Sequence, residues 1–84
     1  MQITLKLFAT LAPYLPNHAK GNIAQITVAD DATIHQVLES YKVPIPEIHL
    51  VLINGVYINP EDRDRSGVLQ DGVTLAIWPP VAGG

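Results

Sequence analysis

The chain has 84 residues, a formal net charge of -3, 48% hydrophobic residues and only 15% charged ones. That length holds one domain with one modest core, and the apolar content excludes intrinsic disorder, which needs low hydrophobicity and high net charge. The acidic balance and the scatter of Lys6, Lys20, Lys42, Arg63 and Arg65 argue against nucleic-acid binding, and the lack of cysteine excludes a disulfide framework, a thiolate metal site and a cysteine nucleophile.

The opening Met1-Gln2-Ile3-Thr4-Leu5-Lys6 does not read as a signal peptide, and no apolar run approaches the roughly 18 residues of a membrane span. A cytoplasmic protein is expected. Residues 2–8 alternate, with Ile3, Leu5 and Leu7 on one side and Gln2, Thr4, Lys6 and Phe8 on the other, which predicts a half-buried strand. Residues 9–16 suggest a short helical turn bounded by Pro13 and Pro16. Turn-like residues 17–22 lead into a second alternating strand around Ala24, Ile26 and Val28.

Thr33 and Gln36 have the spacing of a capping box. Ile34, Val37, Leu38 and Tyr41 follow at the spacing of one buried helical stripe, with Pro44 and Pro46 expected to end it. Asp30 and Asp31 precede that helix and suit the positive end of its dipole, while His35, in its first turn, is expected to face solvent. Asn54-Gly55, between Leu50-Val51-Leu52-Ile53 and Val56-Tyr57-Ile58, is a strong signal for a type I′ hairpin, because that turn needs two residues tolerating positive φ. Glu61-Asp62-Arg63-Asp64-Arg65 reads as a solvated loop of alternating charge. The turn Gln70-Asp71-Gly72 then precedes a last strand from Val73 to Trp78. Together these elements predict an α+β domain with one helix covering one face of a sheet.

Strand alternation divides that sheet. If the helix covers Ile3, Leu5, Leu7, Val51, Ile53, Val56, Ile58, Val73, Leu75 and Ile77, the opposite face carries Thr4, Lys6, Leu50, Thr74 and Ala76 together with Phe8, Leu52, Tyr57 and Trp78. One helix cannot cover both faces, so these last four are expected to form an exposed apolar patch. Such a patch marks an interface, unless residues 9–22 or 59–70 fold over it.

After Trp78 the chain continues Pro79-Pro80-Val81-Ala82-Gly83-Gly84. The prolines cannot donate ladder hydrogen bonds and bias the chain toward extension. Residues 79–84 reach at most ~20 Å, at roughly 3.3–3.6 Å per residue. A slim tail without bulky side chains near its terminal carboxylate suits insertion into a narrow channel.

With the strand ending Leu7-Phe8-Ala9, the helix after Asp31-Ala32-Thr33, the hairpin Ile53-Asn54-Gly55 and Leu69-Gln70-Asp71-Gly72, this ending resembles the β-grasp sulfur carriers. Within them it is most similar to the small subunit of molybdopterin synthase; the thiamin-thiazole carriers are related. The resemblance spans nearly the whole chain and implies a ubiquitin-like β-grasp domain at 1–78. That domain would have a mixed sheet of four to five strands with one main helix on one face, and an extended, flexible Gly-Gly tail at 79–84.

The resemblance also implies that an E1-like enzyme adenylates the Gly84 carboxylate with ATP and that a sulfur donor system converts it to a thiocarboxylate. The large subunit of molybdopterin synthase would then accept the tail for dithiolene synthesis, in a molybdenum or a tungsten pathway. In these terms Gly84 and Gly83 carry the chemistry, while Phe8, Leu52, Tyr57, Trp78, Pro79, Pro80, Val81 and Ala82 contact partners. The chain would bind no cofactor and would not be an enzyme by itself. The same tail also suits a protein modifier joined to a lysine of another protein. The chain departs from the molybdopterin branch at Ala12, where many members carry Arg, and at Val73-Thr74, where an acidic pair often follows Asp-Gly.

No other residues predict chemistry. His18, His35 and His49 lack metal-site spacing and have no cysteine to join them, and Ser40 and Ser66 stand in no motif of nucleophile and base.

Overall fold

A computed structural model describes residues 1–81. Ala82, Gly83 and Gly84, among the expected site residues, lie outside the described residues. The chain forms β1 (Gln2–Leu7), β2 (Ile23–Thr27), α1 (Ile34–Ser40), β3 (Leu50–Ile53), β4 (Val56–Tyr57) and β5 (Thr74–Trp78). Short 3-10 segments occupy Ala9–Tyr14, Ile45–Glu47 and Pro60–Asp62. One five-stranded sheet results, in the order β2-β1-β5-β3-β4.

The two central strands, β1 and β5, run parallel, with Leu5 opposite Leu75 and Leu7 opposite Ile77. A tight turn cannot join parallel strands, and here everything between Phe8 and Val73 forms the connection. The outer pairs are antiparallel hairpins or neighbours, β1 with β2 and β3 with β5 and β4. Because β2 and β3 lie on opposite sides of the central pair, the segment between them must cross the sheet. That crossing lays α1 over one face only.

The covered face is the core. Ile3, Leu5, Leu7, Val51, Leu75 and Ile77 are almost wholly buried, against Ile34, Val37 and Leu38 of α1. At roughly 2 kcal/mol for burying such a side chain, this layer is the main source of stability. The long loops also contribute Leu11, Val43, Ile48 and Leu69, whose burial no alternation predicts.

Three members of the expected core face differ. Val56 is 64% exposed, and Ile58 and Val73 are only half-buried. Val56 shares a face with Ile53, its cross-strand partner, but β4 is the sheet's outermost strand. A helix of seven residues is only about 10 Å long and does not reach over it.

The helix starts as its sequence predicts. Thr33 Oγ1 accepts from Gln36 N at 3.1 Å and Gln36 Oε1 accepts from Thr33 N at 2.9 Å, which completes the capping box. It ends before the prolines. Lys42 takes φ +65°, Lys42 N donates to Glu39 O and Val43 N donates to Leu38 O. This pair of bonds is a Schellman motif with lysine in the position that usually holds glycine. In the β3–β4 hairpin, Asn54 (φ +50°) and Gly55 (φ +83°) adopt the expected turn, and Asn54 Oδ1 also accepts from Thr74 N at 2.8 Å.

The charged stretch 61–65 is not uniformly solvated. Arg63 is 4% exposed. Its Nε and Nη2 donate to Ile58 O at 3.2 and 3.0 Å, and Nη2 also donates to His49 O at 3.3 Å. His35 is likewise half-buried rather than solvent-facing: its Nδ1 lies 2.6 Å from Asp64 Oδ1 and its backbone N donates to Arg63 O. At the start of the chain, the Met1 ammonium donates to Val28 O and Asp30 Oδ1. That hydrogen bond, with the ammonium charge, holds the Asp30 carboxyl below its ordinary range.

Candidate functional site: an open sheet face at the base of the tail

The sheet's second face has no helix over it. Phe8 follows β1 directly, and its N–H donates to Ile77 O, so the ladder continues one residue beyond the strand. That bond sets Phe8 beside Trp78, and the two rings stack with centroids 4.0 Å apart and planes 3° from parallel. Ala9 then adopts φ +52°, a left-handed conformation that costs a residue with a Cβ roughly 1–2 kcal/mol. The sharp bend takes the chain off the sheet, so that Phe8 stays on the open face while Leu11 enters the core.

Cross-strand register brings the other expected residues to the same surface. Leu50 pairs with Trp78 and Leu52 with Ala76; Tyr57 pairs with Leu52. Phe8, Leu52 and Trp78 are half-buried and Tyr57 is 49% exposed. The loops 9–22 and 59–70 therefore do not seal the face. Arg63 supports Tyr57 from one side, with its guanidinium carbon 5.8 Å from the ring centroid and a long 3.4 Å hydrogen bond from Nη2 to Tyr57 Oη.

His49 N donates to Trp78 O, after which the prolines offer no further donors. Pro79 is buried against the domain while Pro80 and Val81 are exposed, so the exposed surface of the tail begins at Pro80, one residue later than the end of β5 suggests. Beside it lies an apolar groove of about 580 Å³ lined by Ala9, Thr10, His49 and Leu50 together with Trp78, Pro79, Pro80 and Val81. Ala9, Thr10 and His49 were not among the expected site residues. Ala9 and Thr10 open the 3-10 segment and His49 sits in a loop, where strand alternation carries no information, and the positive φ of Ala9 has no marker in the sequence. No group of three or more His, Asp or Glu is placed to hold a metal ion among the described residues. No helix there is long and apolar enough to cross a membrane.

A mixed five-stranded sheet, one helix on one face and a strand that ends at a proline-led tail define a ubiquitin-like β-grasp protein. The fold is that of carriers and modifiers and is typically not catalytic itself. The chain belongs to the Mut7-C ubiquitin family, whose model matches residues 1–82. Several solved chains are similar, among them these two. The crystal structure of SAMP1 from Haloferax volcanii is 25% identical with a TM-score of 0.65, over 100% of both chains. The solution structure of the HVO 2177 protein from the same organism is 28% identical with a TM-score of 0.73, over 100% of this chain and 87% of that one. No curated protein matches the chain in sequence.

Proposed function

We propose that the chain is a sulfur carrier, thiocarboxylated at Gly84, that donates sulfur to a pterin precursor for the dithiolene of molybdopterin or tungstopterin. The observation that carries this reading is the Phe8–Trp78 stack at the base of the tail. It joins an uncovered apolar face to the segment that bears the Gly-Gly terminus, so a partner gripping the face receives the tail. From Pro80 the chain to Gly84 reaches at most ~18 Å, at 3.6 Å per residue. The active site it serves must therefore open close to the docking surface.

The chemistry asks little of the carrier. An oxygen of the Gly84 carboxylate attacks the α-phosphorus of ATP on an E1-like enzyme, and pyrophosphate leaves. Hydrosulfide from a sulfur donor then attacks the acyl carbon and displaces AMP, leaving the thiocarboxylate. A carboxylate is a poor electrophile, and adenylation supplies its leaving group. Gly83 and Gly84 leave the acyl carbon unhindered. The large subunit of a molybdopterin synthase would accept the loaded tail, with Pro80, Val81 and Ala82 leading it into the active site.

The test is intact mass after incubation with an E1-like enzyme, ATP and a sulfur donor. A shift equal to the replacement of one oxygen by sulfur, lost on deleting Gly84, is the expected result. High-mass adducts on lysines of other proteins would replace the carrier by a protein modifier. An unchanged mass with several such enzymes would sink both.

A further inference from the structure

One row of the open face holds a single charge. The register places Ile23, Lys6, Ala76, Leu52 and Tyr57 in a single row across all five strands, from β2 to β4. Lys6 is half-buried in that row and takes part in none of the ion pairs among the described residues. All eight acidic residues lie outside the strands, so none stands in that row; Asp71 reaches only the end of the face beside Thr4 and Gln25. Ala76, between Lys6 and Leu52, is 8% exposed although no helix covers it. Its longer neighbours on the adjoining strands shield it, so this surface is close-packed around Lys6.

A partner that covers the row strips water from this ammonium. Burying an unpaired charge is far costlier than leaving it wet, whereas a charge met by a carboxylate is compensated. A second copy of this chain, docked row against row, would set each Lys6 against side chains that include no carboxylate. We infer that Lys6 selects the partner of the open face: an apolar surface bearing one carboxylate opposite Lys6, in preference to another copy of the same chain. This rests on the proposed function, with the activating enzyme taken as a partner that grips the face to receive the tail, and two measurements separate the ideas.

The first is the rate of pyrophosphate release by the E1-like enzyme that thiocarboxylates the wild-type chain. Lys6→Glu is expected to raise KM for the carrier at least about tenfold with kcat little changed, since breaking a desolvated charge pair weakens binding by that much or more. Lys6→Arg should restore most of the affinity. An unchanged KM in Lys6→Glu, with the wild type active, overturns the inference and leaves the carrier reading standing. The second is sedimentation equilibrium of the chain alone, which needs no enzyme. Lys6→Leu is expected to self-associate at least about tenfold more tightly than the wild type, whose lysine opposes that contact. Equal self-association of the two overturns the inference even if no activating enzyme is found.

Discussion

Arg63 shows how one side chain can organise a surface from beneath. Its guanidinium is buried without a carboxylate partner among the described residues and spends its donors on the carbonyls of Ile58 and His49, which flank the β3–β4 hairpin on both sides. The fork geometry lets one group span both acceptors, which a lysine ammonium cannot do from the same stem. Arg63→Met keeps the apolar stem and removes every donor. Each buried carbonyl left unpaired costs about 1–3 kcal/mol, so a loss of about 3 kcal/mol is expected. In a domain of this size, that lowers the thermal midpoint by more than about 10 °C. Arg63→Lys should fall between the two. Thermal unfolding checks this, and a midpoint for Arg63→Met within about 2 °C of wild type would mean that water or neighbours satisfy those carbonyls. Nothing in the sequence marks Arg63. It sits in a run of alternating charges that reads as solvated, and its burial depends on where the hairpin's two ends lie in space.

At the scale of elements, the start of α1 and its end contrast. Thr33 and Gln36 satisfy the first-turn amides through side chains whose chemistry is visible in the sequence, and the capping box forms as the spacing implies. The end is made by backbone geometry at Lys42, where φ is +65°, and lysine carries no signal for that conformation. The prolines at 44 and 46 point to a later stop than the one that occurs. A left-handed residue with a Cβ is strained by roughly 1–2 kcal/mol, part of which glycine gives back through its freer unfolded chain. Lys42→Gly is therefore expected to stabilise the protein by about 1 kcal/mol, which raises the midpoint by about 4–8 °C. Lys42→Val, with a branched Cβ, should lower it. Both are read by differential scanning calorimetry, and a destabilised Lys42→Gly would refute the Schellman assignment. The hairpin was legible for the opposite reason. Asn54-Gly55 is a turn whose backbone demand is met by recognisable residues, whereas the exposure of Val56 depends on the length of a helix elsewhere in the chain.

At the scale of the molecule, one sheet serves two purposes on its two faces, and two leucines in neighbouring register positions separate them. Leu75 lies on the covered face opposite Ile53, and Leu52 lies on the open face opposite Ala76. Leu75 is fully buried, and truncation to alanine leaves a cavity between sheet and helix. The expected cost is about 2–5 kcal/mol, a large part of the 5–15 kcal/mol that holds a typical domain together. Leu52 loses the same atoms on substitution by alanine, but on a half-buried surface from which water is only partly excluded. About 1 kcal/mol or less is expected there. Activation by an E1-like enzyme should show the reverse order. Leu52→Ala is expected to raise KM for the carrier by about tenfold, the effect of about 1.4 kcal/mol of lost docking energy. Leu75→Ala, assayed well below its lowered midpoint, should leave KM close to wild type. Thermal unfolding and initial-rate kinetics on the same two variants decide the matter. Equal destabilisation would make the open face a second core, and an unchanged KM in Leu52→Ala would place the docking surface elsewhere on the molecule. The alternation of β1, β3 and β5 made this division of the sheet readable from sequence, because side chains two apart must share a face. What alternation does not carry is the depth of each position, which comes from the crossing segment that covers one face and leaves the other to Phe8, Leu52, Tyr57 and Trp78.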